Sequence, residues 1–275
     1  MRVRITQPEA ERTEADIAVF VISRIAGEGA DRYAVGGDYY LSEEEQDLLK
    51  AVCSLHENVV VIINAGGVMD LSFMDEYANI RALLFAVQPG MEGGTAIADI
   101  LTGKVTPSGK LTDTWAFRYE DYPSAGTFSH NNGDVDREYY HEGIYVGYRY
   151  FDSFEVPVRY GFGFGLSYTR FAMEVQQITA DEQGEVTVSV RVSNIGPKYS
   201  GREVVQVYAA LPDGRLEKEY RRLRHHHQAF CLQQSGGQPD GIGQYSVGAG
   251  AAGTVSALVW HCHPGIPAPC HHDQL

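Results

Sequence analysis

The sequence lacks both a surplus of basic residues and a long apolar run. It has 22 Lys and Arg residues against 36 Asp and Glu residues in 275, which gives a formal net charge of −14. Nucleic acids and anionic membrane surfaces attract basic proteins, so we expect neither as a partner. No run of about 18 apolar residues occurs, so we expect no membrane-spanning helix. The first 16 residues lack the apolar core of a secretion signal, which favours a cytoplasmic location.

Cys53 is the only cysteine before the last 52 residues of the sequence. Residues 224–275 hold the other three cysteines and seven of the ten histidines, but no Lys and no Glu. We predict a tail of low order there, and the abrupt break in composition supports the hypothesis that it is translated out of frame. The tail contains the clusters "HHH", "HCH" and "CHH", but it lacks the paired CxxC spacing of structural zinc sites. We therefore expect no specific metal site and no other cofactor.

Apolar runs alternate with helical patterns between residues 16 and 110. The runs "DIAVFVI" (16–22), "NVVVIIN" (58–64) and "IRALLFAV" (80–87) predict strands, and the first two are typical of strands buried on both faces. Ser42 and Glu45 form a capping box that opens a helix, and Gly103 closes a later one. The pattern predicts an α/β fold with a mostly parallel sheet and flanking helices.

The pattern changes after residue 110. Residues 111–165 are rich in aromatic side chains and show little periodicity. From residue 166 the sequence alternates, as in "GEVTVSVRVSNIG", where four valines face one way and polar side chains face the other. About three strands are visible before residue 223, which predicts a partial antiparallel β-sandwich.

The stretch "SRIAGEGADR" (23–32) follows the first predicted strand and contains the main candidate residue, Glu28. In open α/β sheets, ligands bind at the carboxyl ends of the strands. Gly27 and Gly29 permit close approach of a substrate. From these residues alone, Glu28 is either a catalytic acid or a solvated turn residue. A nucleotide-binding loop is disfavoured, because no third glycine opens a helix and the next strand ends in Asn64 instead of an acidic residue.

Seven motifs in order resemble the C-terminal half of family 3 glycoside hydrolases of the β-glucosidase type. They are "GEGADR", "GDYYLSEEE", "NAGG", "QPGMEGG", "GKVTPSGKLTDTW", "EGIYVGYRYFD" and "YGFGFGLSYTRF". The resemblance covers about residues 15–223. It implies an α/β sandwich domain at 1–165, lacking its usual first strand and helix, and part of a fibronectin-III-like domain at 166–223, with the tail at 224–275 outside both.

The resemblance also implies a retaining β-glycosidase in which Glu28 is the acid/base. Asp31 and Arg32 would support its loop through an ion pair or hydrogen bonds. Asp38 is a weaker candidate acid or substrate-binding residue, and a turn role is favoured for it. Tyr39 and Tyr40 either stack on a sugar ring or pack in the core.

In this family the nucleophile is an aspartate on a (β/α)₈ barrel, and we find no counterpart of that barrel in the sequence. We therefore expect the chain to contribute the acid/base while a barrel is supplied elsewhere, and to be weakly active or inactive alone. The expected partner molecule is a β-glucoside or a related carbohydrate. The alternative is a non-catalytic carbohydrate-binding or accessory module that pairs with a separate barrel subunit.

Overall fold

The computed structural model describes residues 15–25, 31–134, 136–181, 186–209, 229–232, 245–249 and 253–255. Backbone contacts divide the chain into two compact units. They are Met1–Thr102 with Trp115–His141, and Gly103–Thr114 with Glu142–Leu275. The domain boundaries at residues 165 and 223 stay predictions. None of the helices among the described residues is long and apolar enough to cross a membrane.

A parallel sheet with helices in its connections forms the first unit. Its elements are β1 (Ala18–Ser23), α1 (Glu43–Leu55), β2 (Val59–Asn64), α2 (Phe73–Glu76), β3 (Ile80–Phe85), α3 (Gly93–Leu101) and β4 (Trp115–Ala116), with 3₁₀ turns at Tyr119–Asp121 and Ser129–Asn132. The sheet order is β1-β2-β3, and both pairings are parallel. Parallel pairing places the carboxyl ends of all three strands at one edge. This confirms the predicted α/β class.

The burial of β1 differs from the prediction. Phe20 and Ile22 are 6% and 1% exposed, whereas Val19 and Val21 are 49% and 55% exposed. β1 is therefore buried on one face only, and the expectation of two buried faces is wrong. In the part of the chain that the structure describes, β1 lies at an edge of the sheet. An apolar run shows that a strand can be buried, but the neighbouring elements decide which faces are covered.

The helix ends follow local sequence signals. The Ser42 hydroxyl oxygen accepts a hydrogen bond from the Glu45 N–H at 3.2 Å, and the Glu45 carboxylate accepts one from the Ser42 N–H at 2.9 Å. This reciprocal pair is the predicted capping box, and α1 begins directly after it. α3 ends at Leu101, and Gly103 has a φ of +73°, the left-handed conformation in which glycine ends helices.

The second unit contains mostly strands. Its elements are α4 (Tyr148–Ser153), β5 (Val158–Tyr160), β6 (Phe171–Ala180), β7 (Val186–Asn194), β8 (Gln206–Ala209), β9 (Ala229–Leu232), β10 (Tyr245–Ala249) and β11 (Gly253–Val255). β6 and β7 form an antiparallel pair, with a register shift between Val175 and Gln177. Val188 and Val190 are buried with Val205 in a small core. The valines of β7 thus share the buried face that the alternation predicts.

The last three strands lie within the segment predicted to be of low order. β10 runs parallel to β7 and antiparallel to β11, while β9 runs parallel to β8. The antiparallel pair of β6 and β7 therefore gains one parallel neighbour, β10, that the sequence did not indicate, while β8 and β9 form a separate sheet. The seven histidines of the tail lie outside the described residues.

Candidate functional site

The predicted site lies at the carboxyl end of β1. Glu28 belongs to residues 26–30, which lie outside the described residues. Both flanks of that segment are described: Arg24 and Ile25 follow β1, and Asp31 and Arg32 come after the segment. Substrates of α/β proteins bind at this edge of the sheet, so the geometry of the flanks bears on the candidate site.

Arg24 is a buried arginine directly after β1, with 4% of its side chain exposed. Its Nη1 and Nη2 atoms bind the two carboxylate oxygens of Glu45 at 2.7 and 2.8 Å. The remaining N–H groups donate to the carbonyl oxygens of Ser23, Asp38 and Tyr40 at 2.9, 2.7 and 3.1 Å. All five N–H groups of the guanidinium are therefore used, which offsets the cost of removing its charge from water.

Arg32 is a second arginine that binds several groups near the end of β1. Its Nε donates to Oδ1 of Asp38 at 2.6 Å, and its Nη2 donates to the Asp38 carbonyl oxygen at 2.7 Å. Its Nη1 donates to the carbonyl oxygen of Val68, in the loop after β2, at 2.6 Å. Arg32 thereby joins the loop after β1 to the loop after β2. Asp31, the other residue predicted to support the loop, is exposed.

Both carboxylate oxygens of Asp38 accept hydrogen bonds. Oδ1 faces Arg32, and Oδ2 accepts the N–H of Tyr33 at 2.7 Å. A carboxylate held in this way organises its own turn, since its acceptors are directed at the backbone and at a neighbouring cation. The geometry thus favours the turn role of Asp38 over a role as an acid.

Tyr39 packs inside the first unit. It is 5% exposed, and its ring meets Tyr40 edge-on at 4.9 Å and Tyr119 at 5.1 Å between ring centroids. Burial, and then the nearby Tyr122 and Asp70, raise the pKa of its hydroxyl well above the usual value. These contacts favour core packing of Tyr39 over stacking on a sugar. Burial also raises the pKa of Tyr40, whose ring is half-buried.

A depression of about 500 Å³ lies at the same sheet edge. Its lining includes Arg24 after β1, Asn64 at the end of β2 and Gln88 after β3, together with Gly93 and Gly94 at the start of α3. The depression is therefore lined by residues at or just after the carboxyl ends of all three strands. Arg24 and Gln88 were not predicted from the sequence as site residues. For Arg24, the available signal was an arginine directly after an apolar strand.

The described residues at this edge of the sheet do not form a cluster of metal-binding side chains. Among the described residues, no group of three or more His, Cys, Asp or Glu side chains could hold a metal ion. Cys53 lies in α1, and burial raises the pKa of its thiol. The described side chains thus provide hydrogen-bonding groups and balanced ion pairs at the edge.

The chain is similar in sequence to known proteins. The family model described as "Glycosyl hydrolase family 3 C-terminal domain" matches residues 2–148. β-Glucosidase A from Butyrivibrio fibrisolvens is 39% identical over 84% of this chain and 32% of its own length. A β-glucosidase from Ruminococcus albus is 41% identical over 76% of this chain and 21% of its own length. The chain spans between a fifth and a third of these curated relatives.

Solved structures of β-glucosidases are also similar to this chain. A β-glucosidase from Paenibacillus barengoltzii is 42% identical and covers 68% of this chain, with a TM-score of 0.64 and 20% of its own chain matched. β-Glucosidase 3B from Thermotoga neapolitana, in complex with α-D-glucose, is 40% identical and covers 66% of this chain, with a TM-score of 0.60 and 26% of its own chain matched. The family model matches more than half of the chain, and the structures repeat its fold. The chain belongs to glycoside hydrolase family 3 and contains the C-terminal domain of that family.

Proposed function

We propose that this chain supplies the acid/base carboxyl group, Glu28, of a retaining β-glycosidase that cleaves β-glucosides. The observation that carries the proposal is the sequence position of "GEGADR", which begins four residues after the end of β1 in a member of this family. The relatives named β-glucosidase, and the glucose complex of one of them, support a glucoside as the substrate.

The retaining mechanism needs two carboxyl groups about 5–5.5 Å apart. Glu28 would donate a proton to the glycosidic oxygen as the bond breaks, while a carboxylate nucleophile attacks the anomeric carbon. Glu28, then ionised, would take a proton from the water that hydrolyses the covalent intermediate. The nucleophile would come from a (β/α)₈ barrel supplied elsewhere, since the resemblance assigns that aspartate to a barrel.

The test is complementation. The chain is co-expressed with the part of the Butyrivibrio fibrisolvens relative that it does not match, and β-glucoside hydrolysis is measured on the co-purified complex. We expect Glu28→Gln to lower kcat/KM for an alkyl β-glucoside by about 100- to 10,000-fold, the usual contribution of general acid–base catalysis.

The control is Glu57→Gln. Glu57 is an exposed glutamate just before β2, at the opposite end of that strand. We expect this variant to keep wild-type activity. Wild-type activity in Glu28→Gln would contradict the assignment of the acid/base.

The alternative is a binding or accessory module without catalysis. The chain spans 21–32% of the length of the two relatives. As such a module, the chain would co-purify with the complementing part or bind glucose, yet the complex would hydrolyse no glucoside. The complementation experiment therefore separates the two functions.

A further inference from the structure

Arg24 and Arg32 lie four residues before and four residues after Glu28. Both guanidinium groups donate to the same atom, the carbonyl oxygen of Asp38, each at 2.7 Å. The two flanks of the segment that contains Glu28 are therefore attached to one point of the loop between β1 and α1.

The first flank is anchored on regular secondary structure. Arg24 donates to the carbonyl oxygen of Ser23, the last residue of β1, and pairs through both terminal nitrogens with Glu45 in the first turn of α1. Only 4% of the Arg24 side chain is exposed, so water competes little for these bonds. Arg24 thus fixes the direction in which the chain leaves the strand.

The second flank is anchored on another loop of the same edge. Arg32 binds the carbonyl oxygen of Val68, after β2, and Oδ1 of Asp38. The backbone of this region is bonded to the same loop, since the N–H of Asp70 donates to the carbonyl oxygen of Tyr39 at 2.9 Å. Arg32 thus ties the second flank to the neighbouring strand.

The charges of this arrangement cancel. Arg24 pairs with Glu45 at 2.7 Å, and Arg32 pairs with Asp38 at 2.6 Å. Each guanidinium has its own carboxylate, so the anchoring of the two flanks adds no net charge. A substitution that keeps the positive charge and changes only the geometry therefore tests the anchoring itself.

We propose that Arg24 and Arg32 are positioning residues for Glu28, because they fix the described backbone before and after it. This inference rests on the proposed function, because it needs Glu28 to be the acid/base. Each arginine acts through the backbone on either side of Glu28, because its N–H groups donate to carbonyl and carboxylate oxygens of the protein. Misplacing a catalytic group by about 1 Å can slow a reaction about 100-fold, so small losses of anchoring have a measurable effect.

The experiment compares two leaving groups in the complemented enzyme. Dinitrophenolate leaves without a proton, whereas an alkoxide needs the general acid, and kcat/KM reports the step in which the leaving group departs. Arg32→Lys keeps the charge and replaces the planar fork by a single ammonium. We expect kcat/KM to fall about 100-fold for an alkyl β-glucoside and less than about threefold for 2,4-dinitrophenyl β-glucoside.

Arg118→Lys is the matched control. Arg118 is an arginine of the same unit with 74% of its side chain exposed, and it pairs with Asp121 at 2.7 Å. We expect this variant to retain wild-type kcat/KM on both substrates. Equal losses on both substrates in Arg32→Lys, or no loss on either, would overturn the positioning role.

Further variants separate the possible failures. Arg24→Lys should repeat the leaving-group pattern, and if it does not fold, Asp38→Asn takes its place beside Arg32→Lys. Glu28→Gln must show the pattern if the proposed function holds. If Glu28→Gln loses kcat/KM mainly on the alkyl glucoside and the arginine variants do not, the positioning role of the arginines is wrong and the proposed function stands. If Glu28→Gln itself does not show this selective loss, the proposed function is wrong.

Discussion

Arg24 shows how much one side chain can connect at the end of a strand. Its five N–H groups reach β1, the loop after it and the first turn of α1. The contacts with Asp38 and Glu45 follow from no local spacing rule, since these residues lie 14 and 21 positions away from Arg24. The sequence therefore indicates Glu45 as a capping residue but not as the partner of a buried arginine.

Glu45 should be more important for stability than its place in a capping box suggests. Glu45→Gln removes the charge that balances Arg24, and breaking a buried ion pair typically costs about 3–5 kcal/mol. Because 27% of the Glu45 side chain is exposed, we expect a smaller loss of about 2 kcal/mol in the free energy of unfolding. Urea denaturation followed by circular dichroism measures this loss.

Glu43→Gln is the control for this prediction. Glu43 lies in the same helical turn, and its side chain is exposed. We expect its urea midpoint to stay close to that of the wild-type protein. Equal midpoints for both variants would show that the Arg24 pair contributes nothing to stability beyond the cap.

The elements divide into those set by local signals and those set by their neighbours. The start of α1 and the end of α3 follow from side chains or glycines within a few residues, so the sequence predicted them. The pairing of β10 with β7 and the exposed face of β1 depend on contacts between distant segments. Burial of a strand face is a property of what packs on it, and no run of apolar residues contains that information.

The start of α3 contains two adjacent glycines with opposite surroundings. A Cβ at Gly93 would lie 2.5 Å from Cγ and 2.8 Å from Cβ of Pro89, whereas a Cβ at Gly94 meets nothing within 4 Å. The Pro89 ring cannot rotate away. We expect Gly93→Ala to destabilise the protein by about 1–3 kcal/mol through this overlap.

Gly94→Ala serves as the matched control and should have the opposite sign. Alanine is favoured over glycine inside a helix, so we expect a gain of about 0.5–1 kcal/mol. Thermal unfolding of the two variants beside the wild-type protein measures both effects. A loss in both variants would mean that backbone freedom, and not the space beside Pro89, accounts for these glycines.

At the scale of the whole molecule, the described residues leave apolar surface at the edge of the parallel sheet. Val19 and Val21 are 49% and 55% exposed on one face of β1, and Ile17, just before the strand, is 55% exposed. An exposed apolar edge strand presents unpaired backbone groups to other chains and favours association between sheets. We therefore expect the purified chain to self-associate through β1.

Replacing Val19 and Val21 together by threonine tests this expectation. Threonine keeps the branched shape that suits a strand and makes the exposed face polar, so the strand should persist while association weakens. Sedimentation velocity of the double variant should show a larger monomer fraction than the wild-type protein at the same concentration. Val35→Thr is the control, because Val35 is 53% exposed but lies in a bend outside the sheet. Equal monomer fractions in all three proteins would place the association surface elsewhere than β1.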